Sequence, residues 1–122
     1  MVMSSKSTGD LGESLAREYL ENNGYRILDT NYRCPGGEID IVARQDDFLV
    51  FVEVRTRTNL NFGSPEESVT PAKKGRLIAT ALHYRQSHYN MPASWRIDFI
   101  GVMLDPKGSP PRIDHIPNAI TG

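Results

Sequence analysis

Only one cysteine occurs among the 122 residues, so no internal disulfide can form. A lone Cys34 suits a reducing compartment, and a cytoplasmic location is the expectation. The three histidines, His83, His88 and His115, are too scattered to complete a zinc site with that thiol. No apolar run approaches the roughly 20 residues of a membrane span. The opening Met1-Val2-Met3-Ser4-Ser5-Lys6-Ser7 also lacks the apolar core of a secretory signal, so no membrane partner is expected. Excess basic charge is missing too, the formal net charge being −1. Bulk electrostatics therefore makes no case for nucleic acid, although a local basic patch remains compatible with the composition.

What is present is an ordinary globular chain, 39% hydrophobic and 24% charged. Its length fits one domain, expected over residues 8–122 behind a disordered tail at 1–7. Asp10 looks like a helix N-cap with Glu13 as the reciprocal member of a capping box. Leu11, Leu15, Ala16, Tyr19 and Leu20 follow at helical spacing, and Asn22-Asn23-Gly24 ends the helix. Strands are expected from Tyr25 to Tyr32, from Glu38 to Arg44 and from Phe48 to Arg55. Pro35-Gly36-Gly37 and Gln45-Asp46-Asp47 supply the turns between them. The third strand is apolar enough to be central. Thr58 to Ser68 has loop composition. Thr70-Pro71 then opens a second helix, with Leu77, Ile78, Ala81 and Leu82 as its buried stripe and Met91-Pro92 as its break. Trp95 to Leu104 reads as a fourth strand, and Arg112 to Ile116 as a short edge strand. The expected fold is α/β, in the order α-β-β-β-α-β with the candidate edge strand as one further element, and a mixed central sheet flanked by helices.

Alternation along the third strand puts Leu49, Phe51, Glu53, Arg55 and Arg57 on one side. That face begins apolar and ends acid, base, base. Glu38 and Asp40 share a side of the second strand. If the intervening turn makes these strands antiparallel neighbours, Asp40 and Glu53 lie across from each other, with twelve residues between them in sequence. Two carboxylates that close repel unless a cation sits between them. An oxygen-rich, partly hydrated site of this kind suits Mg²⁺ or Mn²⁺. A carboxylate pair holding a metal, with a cation beside it, is what phosphodiester hydrolysis needs.

Gly12-Glu13, Gly37-Glu38-Ile39-Asp40, Phe51-Val52-Glu53-Val54-Arg55, Val69-Thr70 with Lys73, and Arg96-x-Asp98 together resemble the YraN family. The resemblance runs from about Thr8 to Val102. It implies a restriction-endonuclease-like, PD-(D/E)xK fold similar to that of archaeal Holliday junction resolvases. It also implies that Asp40 and Glu53 are metal ligands and that Glu13 matches a helix-borne acid of resolvase sites. Arg55 then stands at the position usually held by lysine. If the resolvase analogy holds, branched DNA is the substrate class and a homodimer presents two sites.

Each residue also has a plainer explanation. Glu13 can close its capping box and pair with Arg17. Glu38 can be a solvated residue beside a turn, and Asp40 an exposed strand residue. Arg55 and Arg57 can form a salt network with the acids. Glu53 is hardest to explain this way, because an acid inside Phe-Val-x-Val is buried at a cost unless it binds something. Lys73 and Lys74 oppose the dipole at the start of the second helix, which makes sense if a phosphate docks there, and the plainer explanation is that both are simply solvated. Trp95 and the tyrosines are expected in the core. The expected function is a Mg²⁺-dependent endonuclease acting on DNA, with Glu13, Asp40, Glu53 and Arg55 catalytic. Arg57, Lys73, Lys74 and Arg76 would then hold the nucleic acid. The alternative is a non-catalytic nucleic-acid-binding module that has kept the nuclease fold.

Overall fold

A computed structural model describes residues 5–58 and 70–120, with side chains from Thr8 onward. The elements run α1 (Ser5–Asn22), β1 (Arg26–Cys34), β2 (Gly37–Gln45), β3 (Phe48–Arg57), α2 (Pro71–Ser87), β4 (Ser94–Met103) and β5 (Arg112–Ile120). The expected loop at 58–68 lies outside the described residues apart from Thr58.

The five strands form one mixed sheet in the order β1-β2-β3-β4-β5. Two tight turns make β1, β2 and β3 an antiparallel meander, closing at Cys34↔Gly37 and Gln45↔Phe48. Next, α2 carries the chain across the sheet, so β4 runs parallel to β3 from Phe48↔Ser94 to Arg57↔Met103. A parallel neighbour requires such a crossover. Finally β5 returns antiparallel to β4.

Alternation in β3 divides the interior into two layers. Val50 and Val52 pack with Ala16 and Leu20 of α1, whereas Leu49 and Phe51 pack with Leu77, Ala81 and Tyr84 of α2. The helices therefore cover opposite faces, and β3 is buried on both sides. The expected α/β order and the helix-flanked mixed sheet are present. No described helix is long and apolar enough to cross a membrane.

Several local expectations need correction. The first helix is described from Ser5 to Asn22, so Asp10 lies inside it rather than at its cap, and residues 5–7 of the expected tail are helical. Gly9, Asp10 and Leu11 are exposed, so the opening turns carry no apolar periodicity to mark them. The other end matches expectation. Gly24 adopts φ 86°, and the Tyr25 amide donates to the Leu20 carbonyl at 3.0 Å, as in a glycine-terminated helix.

In α2, Thr70 caps the helix by accepting from the Lys73 amide, and Pro71 opens it. Its buried stripe is Leu77, Thr80, Ala81 and Tyr84, while Leu82 points outward and is exposed. Thr80 tolerates burial because its hydroxyl donates back to the Arg76 carbonyl. The Tyr84 hydroxyl likewise donates to Asp29. The helix stops at Ser87, ahead of Met91-Pro92, because His88 turns extended and sets its Nδ1 2.8 Å from the Tyr84 carbonyl. The edge strand β5 is longer than expected, reaching Ile120.

Candidate active site

The β2–β3 ladder ends at Ile41↔Val52. One step further the strands part, and Asp40 and Glu53 stand at the fork. A side chain continues the hydrogen bonding there: the Val54 amide donates to Asp40 Oδ2 at 2.8 Å. β3 itself continues unbroken, because its other edge stays paired with β4 through Glu53↔Phe99 and beyond. The juxtaposition expected from the twelve-residue spacing is therefore present. Glu53 is 6% exposed, the burial that its apolar neighbours imply.

Two cations reach the same carboxylate oxygen. Arg55 Nη2 lies 3.3 Å from Glu53 Oε1, and Lys73 Nζ lies 3.2 Å from it. Arg55 shares the strand with Glu53, whereas Lys73 comes from the first turn of α2. The Arg55 Nε is buried and has no hydrogen-bond partner among the described residues. Burial, and then the neighbouring Glu53 charge, push the Asp40 carboxyl up to about 7, against the Val54 hydrogen bond. Glu53 is also raised by burial, with Arg55 and a hydrogen bond to Asp40 opposing that rise. Such a pair titrates as a unit, and a proton on Asp40 relieves the repulsion between the two acids.

These groups line a cleft of about 320 Å³ together with Gly37, Glu38, Arg76 and Leu77. Glu38 faces the cleft but pairs with Arg33 at 3.2 Å, and both side chains are well exposed. Glu13 does not line the cleft. Its carboxylate accepts from Asn31 Nδ2 at 3.0 Å, and burial raises its pKa against that bond and Arg17. It is near enough to add to the charge felt by Asp40. Arg57 and Lys74 lie outside the cleft lining, with Arg57 resting on the Thr56 carbonyl. Lys73, expected among the residues that hold the nucleic acid, sits against the acid pair. Its place in the first turn was legible, but the direction of its side chain depends on how α2 crosses the sheet.

A second polar cluster surrounds Asp98, which is 0% exposed. Its carboxylate meets Arg96 Nε at 2.9 Å, His115 Nε2 at 2.7 Å and the Asn118 amide at 2.9 Å. Arg96 also donates to Tyr25 and Gln45, and Tyr19 Oη lies 3.2 Å from His115 Nδ1. Burial raises the Asp98 pKa, but these hydrogen bonds outweigh it and hold the carboxyl below its ordinary value. The Arg96-x-Asp98 motif is visible in the sequence, whereas His115 joins it only through the β4–β5 pairing. Trp95 packs edge-on against Phe51, as expected of a core residue, whereas Tyr89 is 86% exposed and outside any core.

Among the described residues, no three histidine, cysteine or acidic groups converge into a ready metal cage. What does converge is a pair of carboxylates, Asp40 and Glu53. Mg²⁺ characteristically takes one or two carboxylates and completes its shell with water and substrate phosphate. The raised Asp40 pKa marks a place where added positive charge would be stabilising. The residues present fit a hydrated, hard divalent cation.

A family model described as uncharacterised protein family UPF0102 matches residues 12–102. A UPF0102 protein of Dehalococcoides mccartyi is 48% identical over 98% of both chains. One from Geobacter metallireducens is 45% identical over 98% of this chain and 96% of its own. Another, from Renibacterium salmoninarum, is 45% identical over 88% of this chain and 91% of its own. The YraN-like motifs all lie within the matched segment, and the chain belongs to the UPF0102 family.

Proposed function

We infer that this protein is a divalent-metal-dependent nuclease of restriction-endonuclease-like architecture that hydrolyses phosphodiester bonds in DNA. The observation that carries this reading is the Asp40–Glu53 pair at the strand fork, with Arg55 and Lys73 on the same Glu53 oxygen. Asp40 and Glu53 would hold Mg²⁺ or Mn²⁺. The cation would polarise the scissile phosphate and lower the pKa of a coordinated water.

The chain's own residues do the rest. A guanidinium is a planar cation that donates hydrogen bonds and accepts none, so Arg55 would stabilise developing negative charge rather than act as a base. Glu13, behind Asn31, acts on the pair through its charge. Arg76 at the cleft, with Lys74 and Arg57 beyond it, would position the nucleic-acid backbone. A branched substrate, a homodimer and a cytoplasmic location belong to the same proposal. The first two rest on the resolvase resemblance and the third on the lone cysteine.

The test is incubation with Mn²⁺ and labelled linear, single-stranded and four-way DNA. Wild type should cleave at least one substrate, while Asp40→Ala and Glu53→Ala should cleave none. Binding without cleavage would favour a nucleic-acid-binding module instead, a reading that the arginine at position 55 supports.

A further inference from the structure

Once Asp40 has released its proton, the charge count at the fork is balanced before any metal arrives. The carboxylates of Asp40 and Glu53 carry two negative charges when ionised, and Arg55 and Lys73 carry two positive ones. Both cations lean on a single oxygen, Glu53 Oε1, at 3.3 and 3.2 Å. A divalent ion entering this cleft would leave it with two excess positive charges in a partly buried space. Two changes relieve that excess: a cation withdraws from Glu53, and an anion comes in.

The two cations differ in their freedom to move. Arg55 is held on a sheet strand paired with β4, with its Nε buried. Lys73 projects from the first turn of α2 on a flexible four-carbon stem; the two side chains are about equally exposed, 26% for Arg55 and 25% for Lys73, so the difference lies in how each is tethered. It lines the same cleft as Arg76, which is open to solvent.

Resting on the metal-site reading above, we propose that Lys73 is a displaceable counter-ion. It neutralises Glu53 in the metal-free protein, and when a divalent cation binds the acid pair it leaves to contact a nucleic-acid phosphate. Metal and nucleic acid would then bind cooperatively, and by linkage each strengthens the other by the same factor. Arg55 remains the fixed charge of the site, and Lys73 becomes the mobile one.

Two measurements test this, with Mn²⁺ and a short labelled DNA duplex as probes. Mn²⁺ affinity is read by calorimetry without DNA. DNA affinity is read by fluorescence anisotropy with and without Mn²⁺ at constant ionic strength, on a duplex with non-hydrolysable linkages. For wild type, Mn²⁺ should tighten DNA binding about tenfold, within the usual range of coupling between sites. Lys73→Ala and Lys73→Gln should bind Mn²⁺ several-fold more tightly than wild type, because the competing cation is gone. The tightening of their DNA binding by Mn²⁺ should shrink to about twofold or less. Lys73→Arg should keep most of the coupling.

Both neutral variants require circular dichroism matching wild type, and agreement between them excludes a folding artefact. Unchanged or weaker Mn²⁺ binding in both would overturn the displaceable role while leaving the acid pair a metal site. Undiminished coupling would do the same. If wild-type protein binds no Mn²⁺, the metal-site reading itself fails, and this inference with it.

Discussion

At the scale of single residues, Asp40 sets the pH behaviour of the site. Its carboxyl is raised from 3.8 to about 7 by burial and by Glu53. Between those values the folded protein holds a proton that the unfolded chain has released. Folding stability therefore falls as pH rises through that window. An asparagine keeps an oxygen for the Val54 amide but carries no charge. Asp40→Asn should accordingly melt higher than metal-free wild type above pH 7, and the difference should close towards pH 4. Calorimetric melting curves across this range check it. A variant that melts lower throughout would show that Asp40 is held by attraction rather than tolerated against repulsion. The opposite trend is expected for Mn²⁺ affinity in wild type, which should rise with pH as the ion displaces the proton.

At the scale of elements, the close approach of α1 to β3 governs how the acid-bearing helix is seated. A Cβ built on Gly12 would collide with the Thr56 side chain, so the helix backbone rests almost on the strand's side chain. Three residues earlier in the same helix, Gly9 has open space around it. One substitution should thus have two signs. Gly12→Ala must push α1 off the sheet and should destabilise by about 1–3 kcal/mol, the usual cost of overpacking. Gly9→Ala should stabilise by about 0.5–1 kcal/mol through helix propensity alone. Urea denaturation of both variants is the measurement, and equal effects would refute the close contact.

This contact also shows why the sequence was legible in some places and not in others. Glu53 and Asp40 could be paired because strand alternation and turn length are local properties. Thr70-Pro71 likewise announced a helix through its own chemistry. The Gly12–Thr56 approach, the inward turn of Tyr84 in place of Leu82, and the aim of Lys73 at Glu53 depend on how helices lie across the sheet. That geometry is set by packing between residues distant in sequence. His115 is the extreme case, because its role exists only once β5 pairs with β4 next to α1.

For the whole molecule, the two acid clusters have opposite characters. Asp98 has its charge satisfied by Arg96, His115 and the Asn118 amide, and so ties β4 to β5. Its folded pKa lies below the ordinary value. The stability it contributes is present above the unfolded pKa and is lost as pH falls through the folded one. Asp98→Asn should cost about 3–5 kcal/mol near neutrality, because Arg96 loses its buried counter-charge and the hydrogen bonding to His115 is disturbed. The same variant should show a weaker acid-induced loss of stability than wild type. Its Mn²⁺ affinity, measured below its melting temperature, should not change, since Asp98 does not line the cleft. A loss of metal binding in the folded variant would join the two clusters into one site.

The hydrogen bond from Val54 to Asp40 also gives the protein a built-in observer. Most amides in a sheet face carbonyls and are insensitive to ionisation, but this one faces an acid whose charge changes near neutrality. Its proton resonance should move downfield as Asp40 ionises, since a charged acceptor polarises the N–H more strongly. It should move again when a diamagnetic Mg²⁺ draws on the same oxygens. One assigned peak in a nitrogen–proton correlation spectrum would therefore report both the protonation and the occupancy of the site, in the intact protein and without any substrate.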